Sequence, residues 1–216
     1  MRHLFHIYEG FDGEMYRLGD MINIESGPNS RYDKKRGFEF HLKKYPDSIA
    51  TEYMLKTKKS KDFDTLLSIV NNRKSQKFQN DTLVVHLRIG DVIDDSNKSV
   101  NELLSDYVLF NNGYSYVKPK KYYTNILDSI KNYSIKNVLF IGGFHKKGNH
   151  EKSMKYVDSI KSYFEENGFK CATRINQNAD DDFIIMANSK YFVPSGGGFS
   201  RVIKQIVELK GGTVIE

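Results

Sequence analysis

The 216-residue sequence has a single cysteine, Cys171, no tryptophan and only four prolines. One cysteine excludes an internal disulfide and a thiolate metal cluster, since both need more than one sulfur. No apolar run approaches the ~18 residues of a membrane-spanning helix, and the first residues lack the apolar segment of a secretory signal. We therefore expect a protein without a membrane span in a reducing compartment, the cytoplasm.

Basic residues are spread among acidic ones along the chain, although 33 Lys and Arg against 27 Asp and Glu give a net charge of +6. Proteins that read nucleic acids tend to gather their basic residues on one face or stripe. Here lysines alternate with acidic and polar residues, as in the segment 56–62, Lys-Thr-Lys-Lys-Ser-Lys-Asp. We expect no nucleic-acid partner, whereas a small phosphorylated ligand needs only a few of these charges.

From about residue 81 to the end, short apolar runs alternate with amphipathic segments. Such runs are typical of strands buried in a parallel sheet. The predicted strands are 82–88, 138–141, 169–173, 191–193 and 213–215, and the predicted helices are 100–106, 120–132, 151–166, 182–188 and 199–209. This alternation predicts an α/β fold with a Rossmann-like, doubly wound and mostly parallel sheet.

The first part of the chain, residues 1–80, is less regular. It contains a candidate strand at 4–8, a turn at 27–30, and two helices, a short one after Pro46 and a stronger one at 63–70. The polar composition near residue 80 suggests a boundary there. We therefore divide the chain into residues 1–80 and residues 81–216.

The first candidate site is the segment 86–91, which reads His-Leu-Arg-Ile-Gly-Asp. Ligands of doubly wound sheets bind where loops leave the carboxyl ends of the strands. Arg88 is a fixed cation with donors suited to phosphate, and Gly90 lets the backbone approach a ligand closely. A structural ion pair between Arg88 and Asp91 is the alternative. His86 is a candidate catalyst or a hydrogen-bonded core residue.

The second candidate site is the segment 194–201, Pro-Ser-Gly-Gly-Gly-Phe-Ser-Arg, between a strand and a helix. Free N–H groups at a helix N-terminus favour phosphate, and hydroxyl groups add donors. The residues concerned are Ser195, Gly196, Gly197, Gly198 and Ser200. Neither the P-loop nor the Gly-x-Gly-x-x-Gly pattern is present, which argues against a dinucleotide enzyme. The alternative is a flexible turn with Ser200 as helix cap.

Two further features lie at predicted loop edges. Asp180, Asp181 and Asp182 precede an apolar helix, where they either cap it or accept hydrogen bonds from a nucleobase or a sugar. Adjacent acids do not all face one point, so we expect no metal site. Gly142 and Gly143 end a predicted strand, where they either face a ligand or form a turn.

The segments 86–91 and 182–200 together resemble the fucosyltransferase superfamily with a GT-B fold, which includes the α-1,2-, α-1,6- and protein O-fucosyltransferases. The first segment matches the His-x-Arg-x-Gly-Asp element of that family. The second has the family's order of an acid, an apolar helix, a short strand and a turn that ends in Phe-Ser. The resemblance covers about residues 81–205 and is consistent with a compact viral or bacterial glycosyltransferase.

The resemblance implies an inverting, metal-independent glycosyltransferase that moves fucose, xylose or a similar sugar from a nucleotide donor to a glycan hydroxyl. The donor would be a GDP-sugar first and a UDP-sugar second, with no other cofactor. Residues 81–216 would bind the donor, and residues 1–80 would form a reduced acceptor side. Arg88 would hold the β-phosphate, and Asp182 or its neighbour Asp181 would bind the base or ribose.

The resemblance also implies that the turn from Ser195 to Ser200 binds the diphosphate, with Phe199 near the base. Asp91 is the first candidate for a general base, followed by His86 and Glu9, because the acceptor hydroxyl must lose a proton. Two departures concern the donor: Ile89 stands where many members have a second arginine, and glycines replace the serine-rich turn. A non-catalytic module that binds a nucleotide or glycan is the alternative function.

Overall fold

A computed structural model describes residues 45–57, 62–74, 79–105, 116–144 and 148–216 of the chain. The candidate strand at 4–8, the turn at 27–30 and the candidate base Glu9 lie outside the described residues. Within the described ranges, none of the helices is long and apolar enough to cross a bilayer.

The described part of the chain alternates strands and helices as predicted. The strands are β1 (Thr82–Leu87), β2 (Asn137–Gly142), β3 (Lys170–Ile175), β4 (Tyr191–Val193) and β5 (Thr213–Val214). The helices are α1 (Ile49–Lys56), α2 (Phe63–Asn72), α3 (Asp91–Asp94), α4 (Val100–Leu104), α5 (Lys120–Ile130), α6 (Glu151–Glu166), α7 (Ala179–Ala187) and α8 (Gly197–Leu209).

The strands form one sheet in the order β3-β2-β1-β4-β5, and every pair is parallel. The predicted α/β fold with a Rossmann-like, doubly wound sheet is therefore confirmed. The chain order runs outward in one direction from β1 to β3 and in the other through β4 to β5. The order reverses between β1 and β4, and this switch point is where such sheets bind ligands.

Strand β1 lies at the centre of the sheet, and all six of its residues are buried. Helices cover both faces of the sheet, so a central strand reads as an apolar run without alternation. Val84 packs into the core on the side of α7 and α8, while Leu83 and Val85 pack into the core on the side of α5 and α6. The sequence 82–87 is thus a strand because both of its faces have apolar partners.

Helices α1 and α2 precede the predicted boundary at residue 80 and pack on the same sheet face as α7 and α8. Ile49 and Tyr53 of α1 are fully buried there together with Leu66 of α2. The backbone N–H of Ile49 donates to Asp180 of α7 at 2.8 Å. Division of the chain into residues 1–80 and 81–216 stays a prediction, because most of the first range lies outside the described residues.

Helices α7 and α8 begin earlier than predicted. The prediction placed the start of α7 at 182, but Asn178 caps the helix and accepts the backbone N–H groups of Asp180 and Asp181, so α7 begins at Ala179. Helix α8 begins at Gly197 instead of 199, directly after Gly196, whose backbone lies in the left-handed region. The three aspartates therefore lie inside the first turn of α7.

Gly142 is the residue of the sheet least able to accept a side chain. A Cβ atom there would lie 2.8 Å from the carbonyl oxygen of Leu87 in β1, which is backbone and cannot rotate away. We expect Gly142→Ala to lower the free energy of unfolding by about 1–3 kcal/mol through overpacking. Thermal or urea unfolding measures this loss.

Gly148→Ala is the matched control, because a Cβ at Gly148 would meet no atom within 4 Å. Equal stability of the two variants would contradict the close approach of β1 and β2 at this point.

Candidate functional site

The loops that follow β1 and β4 leave the same edge of the sheet side by side, because the two strands are parallel neighbours. We call residues 88–91 the arginine loop and residues 194–198 the glycine loop. His86, near the end of β1, joins β1 to the glycine loop and to α8. Its Nδ1 lies 2.5 Å from Oγ of Ser200 and 2.9 Å from Oγ of Ser195. The structure thus brings the two candidate segments together at the switch point.

The contacts among His86, Ser195 and Ser200 form a closed, buried cluster. The backbone N–H of Ser195 donates to Oγ of Ser200 at 3.0 Å, and the two hydroxyl oxygens are 3.2 Å apart. Phe199 packs edge-on against the His86 ring with a centroid distance of 5.4 Å. Burial, assisted by Arg88, lowers the pKa of His86 to about 3. A neutral imidazole in this setting favours the core interpretation of His86.

Backbone geometry in the glycine loop requires glycine at two positions. Gly196 has a φ of 90° and Gly197 a φ of 75°, values that side chains other than glycine rarely adopt. A Cβ at Gly197 would lie 3.2 Å from the ring of Tyr116, and a Cβ at Gly196 would lie 3.9 Å from Nζ of Lys118. Gly197 and Gly198 begin α8, and the backbone N–H groups in the first turn of a helix have no acceptor within that helix.

Ser200 lies within the first turns of α8 and is fully buried, so it does not cap the helix as the turn interpretation requires. Its hydroxyl instead accepts from the backbone of Ser195 and closes the glycine loop on itself. Ser195 is also buried. The backbone of the loop, more than these two hydroxyls, is therefore the part that a ligand can reach.

The arginine loop contains the ion pair that was the structural alternative for Arg88. Nη2 of Arg88 lies 2.8 Å from Oδ1 of Asp91, and Nη1 donates to the carbonyl oxygen of Ile89 at 2.6 Å. Oδ1 of Asp91 is buried and accepts no aligned hydrogen bond from the described residues, so this contact is one of charge more than of hydrogen bonding. The side chain of Arg88 is 12% exposed and that of Asp91 is 27% exposed.

Gly90 has a φ of 83°. Its backbone is fixed by a chain of hydrogen bonds that starts at α6 and whose members were not predicted from the sequence. Its N–H donates to Oγ of Ser153 at 3.0 Å, and that hydroxyl donates to Oδ1 of Asp94 at 2.8 Å. Oδ2 of Asp94 lies 2.7 Å from Nδ1 of His150, which stacks on Phe144 at 3.8 Å. A serine within the buried stripe of α6 was the available signal for this network.

The three aspartates of α7 have three different environments. Asp182 is fully buried and accepts from Nε of Arg174 at 2.5 Å. Asp181 is 70% exposed and lies 3.9 Å from Nη2 of Arg174. Asp180 accepts from the backbone of Ile49, and burial raises its pKa to about 6. Within the described residues no group of three side chains is placed to bind a metal ion.

Gly142 and Gly143 are both buried at the end of β2. Gly142 is paired with Leu87 on one side and with Ile175 on the other. The space that a side chain would need at Gly142 is taken up by the backbone of β1, which favours the structural interpretation of this glycine.

A cleft of about 520 Å³ opens beside the glycine loop. Its walls come from the segment before α5 and the first turn of α5, from the glycine loop, from α8 and from Glu216. The lining residues are Lys118, Tyr122, Pro194, Gly196, Gly197, Ser200, Arg201, Lys204, Gln205, Glu208 and Glu216. The hydroxyl of Tyr122 donates to the carbonyl oxygen of Pro194 at 2.9 Å and fixes one wall. No motif in the sequence surrounds Lys118, so its place in the cleft could not be predicted from the pattern of residues.

The depressed pKa of His86 makes the stability of the fold depend on pH. Below its ordinary pKa of 6.5 the unfolded chain binds a proton at His86 that the folded chain does not. Stability therefore falls as the pH is lowered, and this residue alone accounts for a loss of about 2 kcal/mol between about pH 7 and pH 5. We expect His86→Asn, which keeps a polar atom near the serines, to remove that part of the pH dependence. Urea unfolding at pH 7 and at pH 5 measures the free energy of unfolding of both proteins. An equal loss between the two pH values in wild type and variant would contradict the buried, neutral state.

No protein-family profile matches the sequence. No curated protein matches it either. Solved structures do, among them a crystal structure of POFUT1, a protein O-fucosyltransferase, in complex with GDP, at 16% sequence identity and a TM-score of 0.39. That match covers 69% of this chain and 45% of the other, so the chain spans less than half the length of that protein. At this identity and TM-score the likeness carries no argument, and we base the function on the geometry of the described residues.

Proposed function

We propose that the chain is a glycosyltransferase that binds a nucleotide-sugar donor, a GDP-sugar before a UDP-sugar, at the switch point of its sheet. The observation that carries this proposal is that the arginine loop and the glycine loop leave one edge of the sheet from the neighbouring parallel strands β1 and β4, with His86 of β1 in contact with Ser195 and Ser200. A planar cation and the start of a 13-residue helix then lie at one edge of the sheet. Both features favour phosphate.

The proposed reaction is an inverting transfer. The acceptor hydroxyl attacks the anomeric carbon, the bond from that carbon to the β-phosphate oxygen breaks, and the electron pair leaves with the nucleoside diphosphate. Arg88 and the N–H groups at the start of α8 would stabilise the charge that develops on this leaving group. No metal ion is required for that stabilisation, because the cation and the helix dipole are supplied by the chain.

The acceptor proton has to move to a base, and Asp91 is the proposed one. In the described structure Asp91 is held by Arg88. A diphosphate that competes for the guanidinium would weaken this ion pair and leave the carboxylate able to accept a proton. Donor binding and activation of the base would then be one event.

Recognition of the nucleoside falls to Asp181 in this proposal. Asp182 is fully buried against Arg174, whereas Asp181 is 70% exposed in the same helical turn. An exposed carboxylate can accept hydrogen bonds from a base or a ribose. We propose the acceptor side in residues 1–80, as the resemblance implies.

A non-catalytic module that binds a nucleotide is the second candidate, and a specific observation favours it. Two of the base candidates are held in the described structure, Asp91 by Arg88 and His86 as a neutral, buried imidazole. Such a module would bind a nucleotide without consuming a sugar donor. Turnover separates the two candidates.

Arg88→Gln tests the donor site. We expect GDP or UDP at millimolar concentration to raise the melting temperature of the wild-type protein by about 5 °C or more. The shift is expected to vanish in Arg88→Gln, because the guanidinium is lost. Differential scanning fluorimetry measures both.

Asp91→Asn is the matched control, since it breaks the same ion pair from the other side and keeps the guanidinium. It should bind the nucleotide as tightly as the wild type or more tightly. Loss of the shift in both variants would assign Arg88 a structural role, and a folded wild type without any shift would contradict the donor site.

Transfer itself is tested by donor consumption in the presence of glycan acceptors. We expect a product of inverted anomeric configuration by NMR, with a rate unchanged by EDTA, and we expect Asp91→Asn to bind the donor but to lose the transfer. Tight binding without consumption across a broad acceptor panel would favour the non-catalytic module.

A further inference from the structure

Lys118 occupies an unusual place in the cleft. Its backbone is fixed, because the hydroxyl of Tyr156 donates to its carbonyl oxygen at 2.6 Å. Its ammonium group lies over the ring of Tyr122, 5.0 Å from the centroid, and 3.9 Å from the position of a Cβ at Gly196. The cation is therefore directed at the backbone of the glycine loop, immediately before α8.

This arrangement places two positive charges side by side. The N-terminus of a helix carries a partial positive charge, which stabilises anions and is unfavourable for cations within the first turn. The first turn of α8 contains no acidic residue that would balance it. Burial lowers the pKa of Lys118 from its ordinary value, against an opposing effect of Glu216. An anion between the ammonium and the helix would offset the repulsion between the like charges and the cost of burying the ammonium.

Glu216 is the carboxylate of the cleft that supports the charged form of Lys118, and it does so without contact. Among the described residues no carboxylate forms an ion pair with Lys118, and Glu216 pairs with Lys204 at 2.7 Å. Arg201 and Glu208, on α8, are exposed to solvent. Lys118 is thus the half-buried cation of the cleft that faces the glycine loop.

The size of the cleft agrees with a nucleotide-sized ligand. Its volume of about 520 Å³ lies within the range of small-molecule sites. Inorganic anions need far less space, so the cleft can take a diphosphate together with a part of the group attached to it.

We propose that Lys118 binds the diphosphate of the donor from the cleft side of the glycine loop, so that this phosphate group lies between the Lys118 ammonium and the first N–H groups of α8. The identity of the ligand rests on the function proposed above, whereas the anion site rests on the cleft and its charges alone. Lys118 would then be a ligand-binding residue outside both sequence segments that resemble the fucosyltransferase superfamily.

Lys118→Met tests this inference, because methionine keeps the apolar stem and removes the charge. Isothermal titration with GDP and, separately, with inorganic pyrophosphate gives the affinities. We expect both to weaken by about tenfold to hundredfold, the range of a charge-assisted hydrogen bond. Without ligand, the melting temperature of Lys118→Met should equal or exceed that of the wild type, since an unfavourable cation has been removed.

Lys120→Met is the matched control. Lys120 lies two residues further on, is exposed, and has its ammonium 4.4 Å from the ring centroid of Tyr163, so both variants lose a lysine above a tyrosine. Only the Lys118 variant should lose affinity. A purely structural Lys118 would instead show a lower melting temperature with unchanged affinity.

The two ligands separate this inference from the proposed function. Binding of GDP that Lys118→Met leaves unchanged overturns the role of Lys118 and leaves the donor site standing. Binding of pyrophosphate that depends on Lys118, without binding of any nucleotide, supports the anion site and overturns the proposed function. A folded wild type that binds neither ligand overturns both.

Discussion

The parallel pairing of β1 with β4 decides where chemistry can occur in this chain. Because β1 is central and the order of the strands reverses beside it, the loops after β1 and β4 leave the sheet side by side at the edge where such sheets bind ligands. His86 reaches across this point and holds the glycine loop through Ser195 and Ser200. A histidine buried for this purpose remains neutral, since no counter-charge accompanies it in the cluster. The burial that places His86 between β1 and the glycine loop is thus also the main cause of its low pKa.

Sequence patterns predicted the elements of the sheet well, because a buried parallel strand is an apolar run and a packed helix shows a stripe. Helix α6 and strand β4 have the predicted bounds. The starts of α7 and α8 were not predicted, since they depend on a side-chain cap at Asn178 and on a left-handed backbone at Gly196. Neither feature belongs to the apolar period. Helix boundaries were therefore less predictable than the order of the elements.

The side-chain partners within the candidate site could not be predicted from the sequence, for a different reason. Arg174 ends in contact with Asp182 because the end of β3 and the start of α7 meet in space, and Ser153 supports Gly90 from a helix that follows another strand. A buried carboxylate needs such a partner, since an unpaired charge in the interior is strongly destabilising. Residues that look available for a ligand in the sequence are thus partly engaged by the fold. Asp182 is one of them.

Charges that the fold does not balance carry the more specific information about a ligand. Arg88 has Asp91, and Asp182 has Arg174, so a structural role suffices for much of their geometry. Lys118 differs, because it is turned toward the positive end of α8 and toward glycines whose backbone already lies in the left-handed region. Like charges at one place lower stability unless something else present in the working protein compensates for them. An anion bound between Lys118 and α8 compensates for the like charges, which is why we assign the ligand to this side of the glycine loop.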